Sequence, residues 1–309
     1  MRFINLSLVC TNQFRSMKII SFALLLSIFF STGSMAQTEK DLAAIENQIN
    51  NYQKIIGSAE TVEKRVAASD SCKALLNEYW NSPGFFEYPF SEVKGMQVLT
   101  APDGRFRIFN WNIPLDNALH SYEAFLLVRD DSNEEELNWV KLEIASRPPS
   151  NLKNRSLRAD EWYGALYYNI IEMDRGRKDH YVLLGWDGND GITNRKFIEV
   201  LSFNSKNEPR LGASVFHMEN GVQKRVIFEY ANEVSMSLKY YPKDDRIIFD
   251  HLAPRSSGME GNYAFYGPDL SFDALTIDKG KWILETNVDV RQGRDNRPYL
   301  DPRPERRRR

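Results

Sequence analysis

From Phe85 to Val288 the chain repeats one pattern: a short apolar run rich in β-branched and aromatic residues, then a turn built from Gly, Pro, Asn or Asp. Such runs are strands, and turn signals at intervals of about 8–12 residues leave room only for antiparallel neighbours. Met96 to Thr100 and Arg105 to Trp111 flank Ala101-Pro102-Asp103-Gly104, and Tyr122 to Val128 and Trp139 to Ile144 flank Asp130-Asp131-Ser132-Asn133. Ala165 to Met173 and His180 to Trp186 flank Asp174-Arg175-Gly176-Arg177, and Lys196 to Phe203 and Leu211 to Met218 flank Asn204 to Arg210. Asn220-Gly221, a strong two-residue hairpin signal, joins that last run to Arg225 to Tyr230. Val234, Met236, Leu238 and Tyr240 alternate with Ser235, Ser237 and Lys239, and Asp278-Lys279-Gly280 forms the last tight turn. These signals predict a mainly β (α+β) fold, an antiparallel meander closing as a sandwich or barrel. A small propeller also fits the strand count, although no motif recurs at the period of about 40 residues that blades require.

Ahead of the strands the period is helical. Leu42, Ile45, Ile49, Tyr52 and Ile56 form one stripe behind a capping box at Thr38 to Asp41. Val62, Val66, Leu75, Leu76 and Tyr79 form a second stripe that ends at Asn81-Ser82-Pro83-Gly84. This predicts a helical hairpin over 37–83 that packs on the chain's own β-domain, 84–290, with a short coiled-coil dimerisation arm as the alternative. Arg147-Pro148-Pro149-Ser150-Asn151 reads as a long loop inside that domain.

The first 36 residues contain Arg2, Arg15 and Lys18 but no acid, an apolar run from Ile19 to Phe30, and the small-x-small signature Ser34-Met35-Ala36. That is the pattern of a signal peptide cleaved before Gln37, with Met17 as a second start for it. The run is shorter than the ~20 residues of a transmembrane helix. Export is therefore expected, periplasmic or secreted, with no transmembrane segment in the mature chain. After the leader, Cys72 is the lone cysteine. No intramolecular disulfide can form, so stability must come from the core. Residues 291–309 hold eight arginines against Asp295, Asp301 and Glu305, the pattern of a disordered tail or an electrostatic tether. The whole chain, with 40 basic and 42 acidic residues, leaves an acidic body, which excludes a nucleic-acid-binding domain.

Chemistry concentrates in three places. The hairpin from Arg175 to Phe203 has the tip Leu184-Gly185-Trp186-Asp187-Gly188-Asn189-Asp190-Gly191. Asp187, Asn189 and Asp190 are the candidate metal ligands. They depart from the alternate-acid spacing of a calcium loop by one residue, so Asx hydrogen bonds are the main reading and a calcium ion the alternative. The second place is Asp250-His251 with Asp269 and Asp273. An imidazole among carboxylates suits general acid–base work, but neighbours on a strand face opposite ways, so Asp250 orients His251 only across a bulge. The third is a set of aromatics beside turns, Trp162, Tyr163, Trp186, Tyr263 and Tyr266, the candidate ligand-binding residues. No phosphate loop, nucleophile elbow, dinucleotide fingerprint or paired-cysteine motif is present, so no cofactor other than calcium is expected.

Leu184-Gly185-Trp186-Asp187-Gly188-Asn189-Asp190, Val226 to Tyr230, Ile248 to Leu252, Tyr266-Gly267-Pro268-Asp269 and Gly280-Lys281-Trp282 together resemble a family of uncharacterised exported proteins of Bacteroidota. The resemblance implies an envelope or secreted setting and carries no activity and no site residue. The expectation is a non-catalytic binding or structural protein of the cell envelope, partnered by a glycan, a peptide or an envelope protein. The alternative is a hydrolase acting on polysaccharide or peptide through carboxylates in a β-domain cleft.

Overall fold

A computed structural model describes residues 39–130, 136–147, 150–173 and 180–290. The leader 1–36, the capping residue Thr38, the tail 291–309 and most of the turns expected at Asp130 to Asn133 and Asp174 to Arg177 lie outside the described residues. The chain divides into two units: one holds the helices and the first four strands, the other the remaining strands. The division falls near Glu143–Ile144, whereas the sequence reading separates the helices from the strands at Gly84.

In the first unit, helix α1 (residues 39–58) and helix α2 (Val62–Tyr79) share one core with a four-stranded antiparallel meander. Its strands are β1 (Gln97–Thr100), β2 (Phe106–Pro114), β3 (His120–Arg129) and β4 (Leu137–Leu142). The α1 stripe packs as expected, with Leu42, Ile45, Ile49 and Ile56 buried. On α2 the buried face is Ala68, Ser69, Cys72, Leu75 and Leu76, while Val66 points to solvent. The expected stripe shares Leu75 and Leu76 with that face and lacks its three small members. One of these, Ser69, accepts through Oγ at 2.9 Å from the indole N–H of fully buried Trp111. Thr61 caps α2 through the Lys64 N–H. Buried Arg107 on β2 donates to the carbonyls of Phe86 and Tyr88, both at 2.6 Å, and pins the segment that follows the helices. Burial lowers its pKa to about 10.

The second unit continues with β5 (Leu157–Arg158), β6 (Leu166–Glu172), β7 (His180–Asp187), β8 (Thr193–Phe203), β9 (Pro209–Leu211), β10 (Phe216–Met218), β11 (Gly221–Gln223) and β12 (Arg225–Ala231). It ends with β13 (Leu238–Tyr241), β14 (Arg246–Pro254), β15 (Tyr266–Asp278) and β16 (Lys281–Glu285). One sheet runs β5-β9-β8-β7-β6, with β12 also pairing β8; the other runs β11-β10-β16-β15-β14-β13. Ile198 and Val200 from the first sheet and Phe249, Leu275 and Trp282 from the second meet in one core, which makes this unit a sandwich. The sheets are not closed into a barrel. Among the described strands pairing is antiparallel except between β10 and β16, and Ile144 makes an isolated parallel bridge to Trp162.

Lys279 and Gly280, both at positive φ, close the β15–β16 hairpin as a two-residue turn. A two-residue turn forms near Asn220-Gly221 too, but one residue earlier, on Glu219-Asn220 with Gly221 already paired to Met218; its hairpin is three residues deep and pairs β10 with β11. The run Arg225 to Tyr230, expected to complete it, crosses instead to β8 in the other sheet. Charge explains the crossing. Arg225, fully buried, lies opposite Glu199, with Nη2 2.5 Å and Nε 2.7 Å from Glu199 Oε2. Glu199 Oε1 accepts from Tyr167, whose oxygen accepts the Trp162 indole N–H at 2.9 Å, and Arg225 Nη1 reaches the Leu152 carbonyl at 2.5 Å. Removing one partner of a buried pair strands the other charge. Arg225→Met should therefore lower unfolding free energy by about 3–5 kcal/mol in urea titration, and adding Glu199→Leu should restore part of the loss.

Candidate functional site

The β14–β15 ladder contains the strongest local irregularity beside titratable groups. Asp250 pairs with Phe272 and Leu252 with Pro268, so Asp269, Leu270 and Ser271 stand against His251 alone. Asp269 shapes this bulge: its Oδ1 accepts from the Ser271 N–H at 3.0 Å and from Ser271 Oγ at 2.7 Å. Those bonds hold its carboxyl below the usual range. Leu270, at the tip, has φ 74° and is 89% exposed. A branched residue in the left-handed region is strained, and this one buries nothing in return.

A bulge is thus present at His251, but the partner of its ring comes from the regular ladder before it, where Asp273 lies opposite Phe249. His251 Nδ1 lies 2.7 Å from Asp273 Oδ2, and Asp273 Oδ1 accepts the Asn287 N–H at 3.0 Å. Asp250 faces away from this pair: its Oδ2 accepts the Ser237 N–H at 2.7 Å and ties the start of β13 to β14. A carboxylate only accepts, so the proton between the pair sits on His251 Nδ1. The Asp273 side chain is 9% exposed and that of His251 45% exposed, so a buried acid holds an imidazole that remains open to solvent. The hydrogen bond to Asp273 raises the His251 pKa; burial opposes the rise, and the charges of Asp273, Asp269 and Glu219 add to it. Of the four residues proposed from sequence, two are in contact, one builds the bulge beside them, and Asp250 is a strand tether.

The hairpin tip at Asp187 to Gly191 is held by its own hydrogen bonds. Asp187 Oδ1 accepts from the Asn189 N–H at 2.9 Å and Oδ2 from the Tyr163 hydroxyl at 3.0 Å, while Asp190 Oδ1 accepts from the N–H groups of Ile192 and Thr193. Arg195 Nη1 donates to the Tyr163 hydroxyl at 2.6 Å and Nε to Glu229 at 2.8 Å, so the tip is fastened to β12. The Asx-turn reading accounts for this conformation. Among the described residues no three His, Cys, Asp or Glu side chains gather as a metal cluster.

The aromatic candidates separate. Trp162 is 1% exposed and belongs to the Glu199–Arg225 network, which removes it from any open platform. Its place beside a turn misled the sequence reading because the turn itself covers the sheet. Tyr163 is largely buried between Asp187 and Arg195, and Trp186 is half-buried near Tyr230. Tyr263, 42% exposed, and Tyr266 remain: their ring centroids are 5.0 Å apart at 55°, and Tyr266 Oη accepts the Gly261 N–H at 3.0 Å. Leu270 was not foreseen; an Asp-x-Ser step inside an apolar run was the signal for it.

No family model matches this chain, and no significant match to it was found among curated proteins or solved structures. No helix among the described residues is long and apolar enough to cross a membrane.

Two outcomes follow from this geometry. A raised folded pKa means the His251–Asp273 contact stabilises fully below the ordinary imidazole value of 6.5 and loses that contribution as pH rises through the folded pKa. In an NMR titration His251 should titrate above that value, and Asp273→Asn should bring it down. Leu270→Gly should raise stability by about 1 kcal/mol in chemical denaturation, because it relieves the left-handed strain without losing buried surface.

Proposed function

We propose that this chain is an exported, non-catalytic binding protein of the cell envelope that takes a carbohydrate on the Tyr263–Tyr266 face of its sandwich unit. The observation that carries the reading is the exposed Tyr263 ring beside a tethered Tyr266, 5.0 Å away. Rigid aromatic rings offer apolar area at low entropic cost while the hydroxyls keep a polar edge, the combination that suits a sugar ring. The leader-like N-terminus and the resemblance to exported proteins of Bacteroidota support the envelope setting.

A second reading, a hydrolase, is favoured by the 2.7 Å contact of His251 with Asp273, since an imidazole oriented by an acid can act as a general base. One panel separates the two. Thermal shift and calorimetry against neutral oligosaccharides and peptidoglycan fragments should find a ligand whose affinity falls about tenfold in Tyr263→Ala, equivalent to ~1.4 kcal/mol. Ligand recovered intact after long incubation supports binding. Turnover abolished by His251→Ala would replace this reading with the hydrolase.

A further inference from the structure

The first unit contains a polar groove of about 600 Å³ between α1 and the segment leading into β1, within the size range of small-ligand sites. Two α1 side chains hold its walls in place: Glu46 Oε1 accepts the Glu92 N–H at 2.9 Å, and Asn50 Nδ2 donates to the Glu92 carbonyl at 3.0 Å while its Oδ1 accepts the Lys94 N–H at 2.8 Å. That doubly bonded carboxamide clamps the segment onto the helix. Inside the groove lies Gln53, only 5% exposed. Its Nε2 reaches Cys72 Sγ at 3.7 Å, a weak contact, and its Oε1 accepts no hydrogen bond among the described residues. With no donor from the described residues, this oxygen is an acceptor open to whatever fills the groove. Gly95, at φ +83°, brings the segment directly over this amide: a Cβ there would stand 3.2 Å from Gln53 Oε1. Lys54 and Lys94 line the same groove, and neither ammonium makes an ion pair within the described residues. Asn47 and Asn51 add two further carboxamides, and Glu92 is the acid lining the groove.

We infer that this groove binds a short acidic oligosaccharide, with a ring hydroxyl donating to Gln53 Oε1 and a carboxylate lying between Lys54 and Lys94. The amides supply the paired donors and acceptors that vicinal hydroxyls require, and two lysines against one glutamate select an anion. The site lies in the first unit and is independent of the tyrosine face proposed above, so either can stand without the other.

The test is calorimetry of the whole protein with trigalacturonate, cellotriose and hexaglutamate as probes. Trigalacturonate should bind, cellotriose at least tenfold more weakly, and the exposed double variant Lys54→Glu/Lys94→Glu should abolish trigalacturonate binding. Gln53→Met keeps the buried volume and removes the acceptor; it should weaken binding about tenfold while the melting temperature shows that the fold persists. No heat with trigalacturonate, affinity equal to that for cellotriose, or affinity unchanged in the lysine variant overturns the inference. Tighter binding of hexaglutamate overturns it in favour of an acidic peptide.

Discussion

The buried pair of Glu199 and Arg225 governs the architecture of the second unit. An unpaired charge in an interior is far costlier than any single apolar contact is favourable, so once Arg225 is inside it must meet an anion. Glu199 sits in the middle of β8, directly across from Arg225. Satisfying that requirement pulls the chain out of the β10–β11 hairpin and across to the other sheet. The same pair recruits Tyr167, Trp162 and the Leu152 carbonyl, and with them the segment that covers the outer face of β8. Gly185 completes the arrangement by leaving space for the Tyr167 ring, whose nearest carbon would lie 3.1 Å from a Cβ there.

This explains what was legible in the sequence. Local signals were read correctly: the α1 stripe, the β7–β8 hairpin, the Lys279-Gly280 turn and the antiparallel strands all follow from periodicity and turn chemistry acting over a few residues. The mistaken pairing of Arg225 to Tyr230 came from trusting the Asn-Gly turn beyond its range. A turn specifies its own two flanking residues, whereas the partner of a strand is set by burial and charge across the sheet. Nothing in the spacing of Glu199 and Arg225 marks them as opposites. Part of the buried face of α2 was hidden for a related reason: Ser69 looks neutral until Trp111 is known to donate to it.

The site shows the same division. The need for a bulge at His251 was readable from strand geometry, yet the identity of its partner was not, because Asp273 reaches it diagonally across the ladder from its place opposite Phe249, a pairing that spacing does not reveal. Strain and chemistry coincide there. Leu270 holds a costly φ at nearly full exposure, one bond away from the acid that shapes the bulge, and that acid's charge reaches the imidazole. Local strain that buries no surface persists only where the surroundings over-determine it.

The His251–Asp273 contact itself bears on the choice between binding and catalysis. The carboxylate orients the ring and fixes the proton on Nδ1, which leaves Nε2 as the outward nitrogen, the arrangement a general base needs. It also raises the imidazole pKa, with Asp269 and Glu219 adding to the effect. A base must be unprotonated to act, and every rise in pKa lowers the unprotonated fraction at neutral pH. The protonated ring is a donor on both nitrogens, one spent on Asp273 and one presented to solvent. Below its raised pKa the pair donates a hydrogen bond to a ligand oxygen, and above it the ring can take a proton from water.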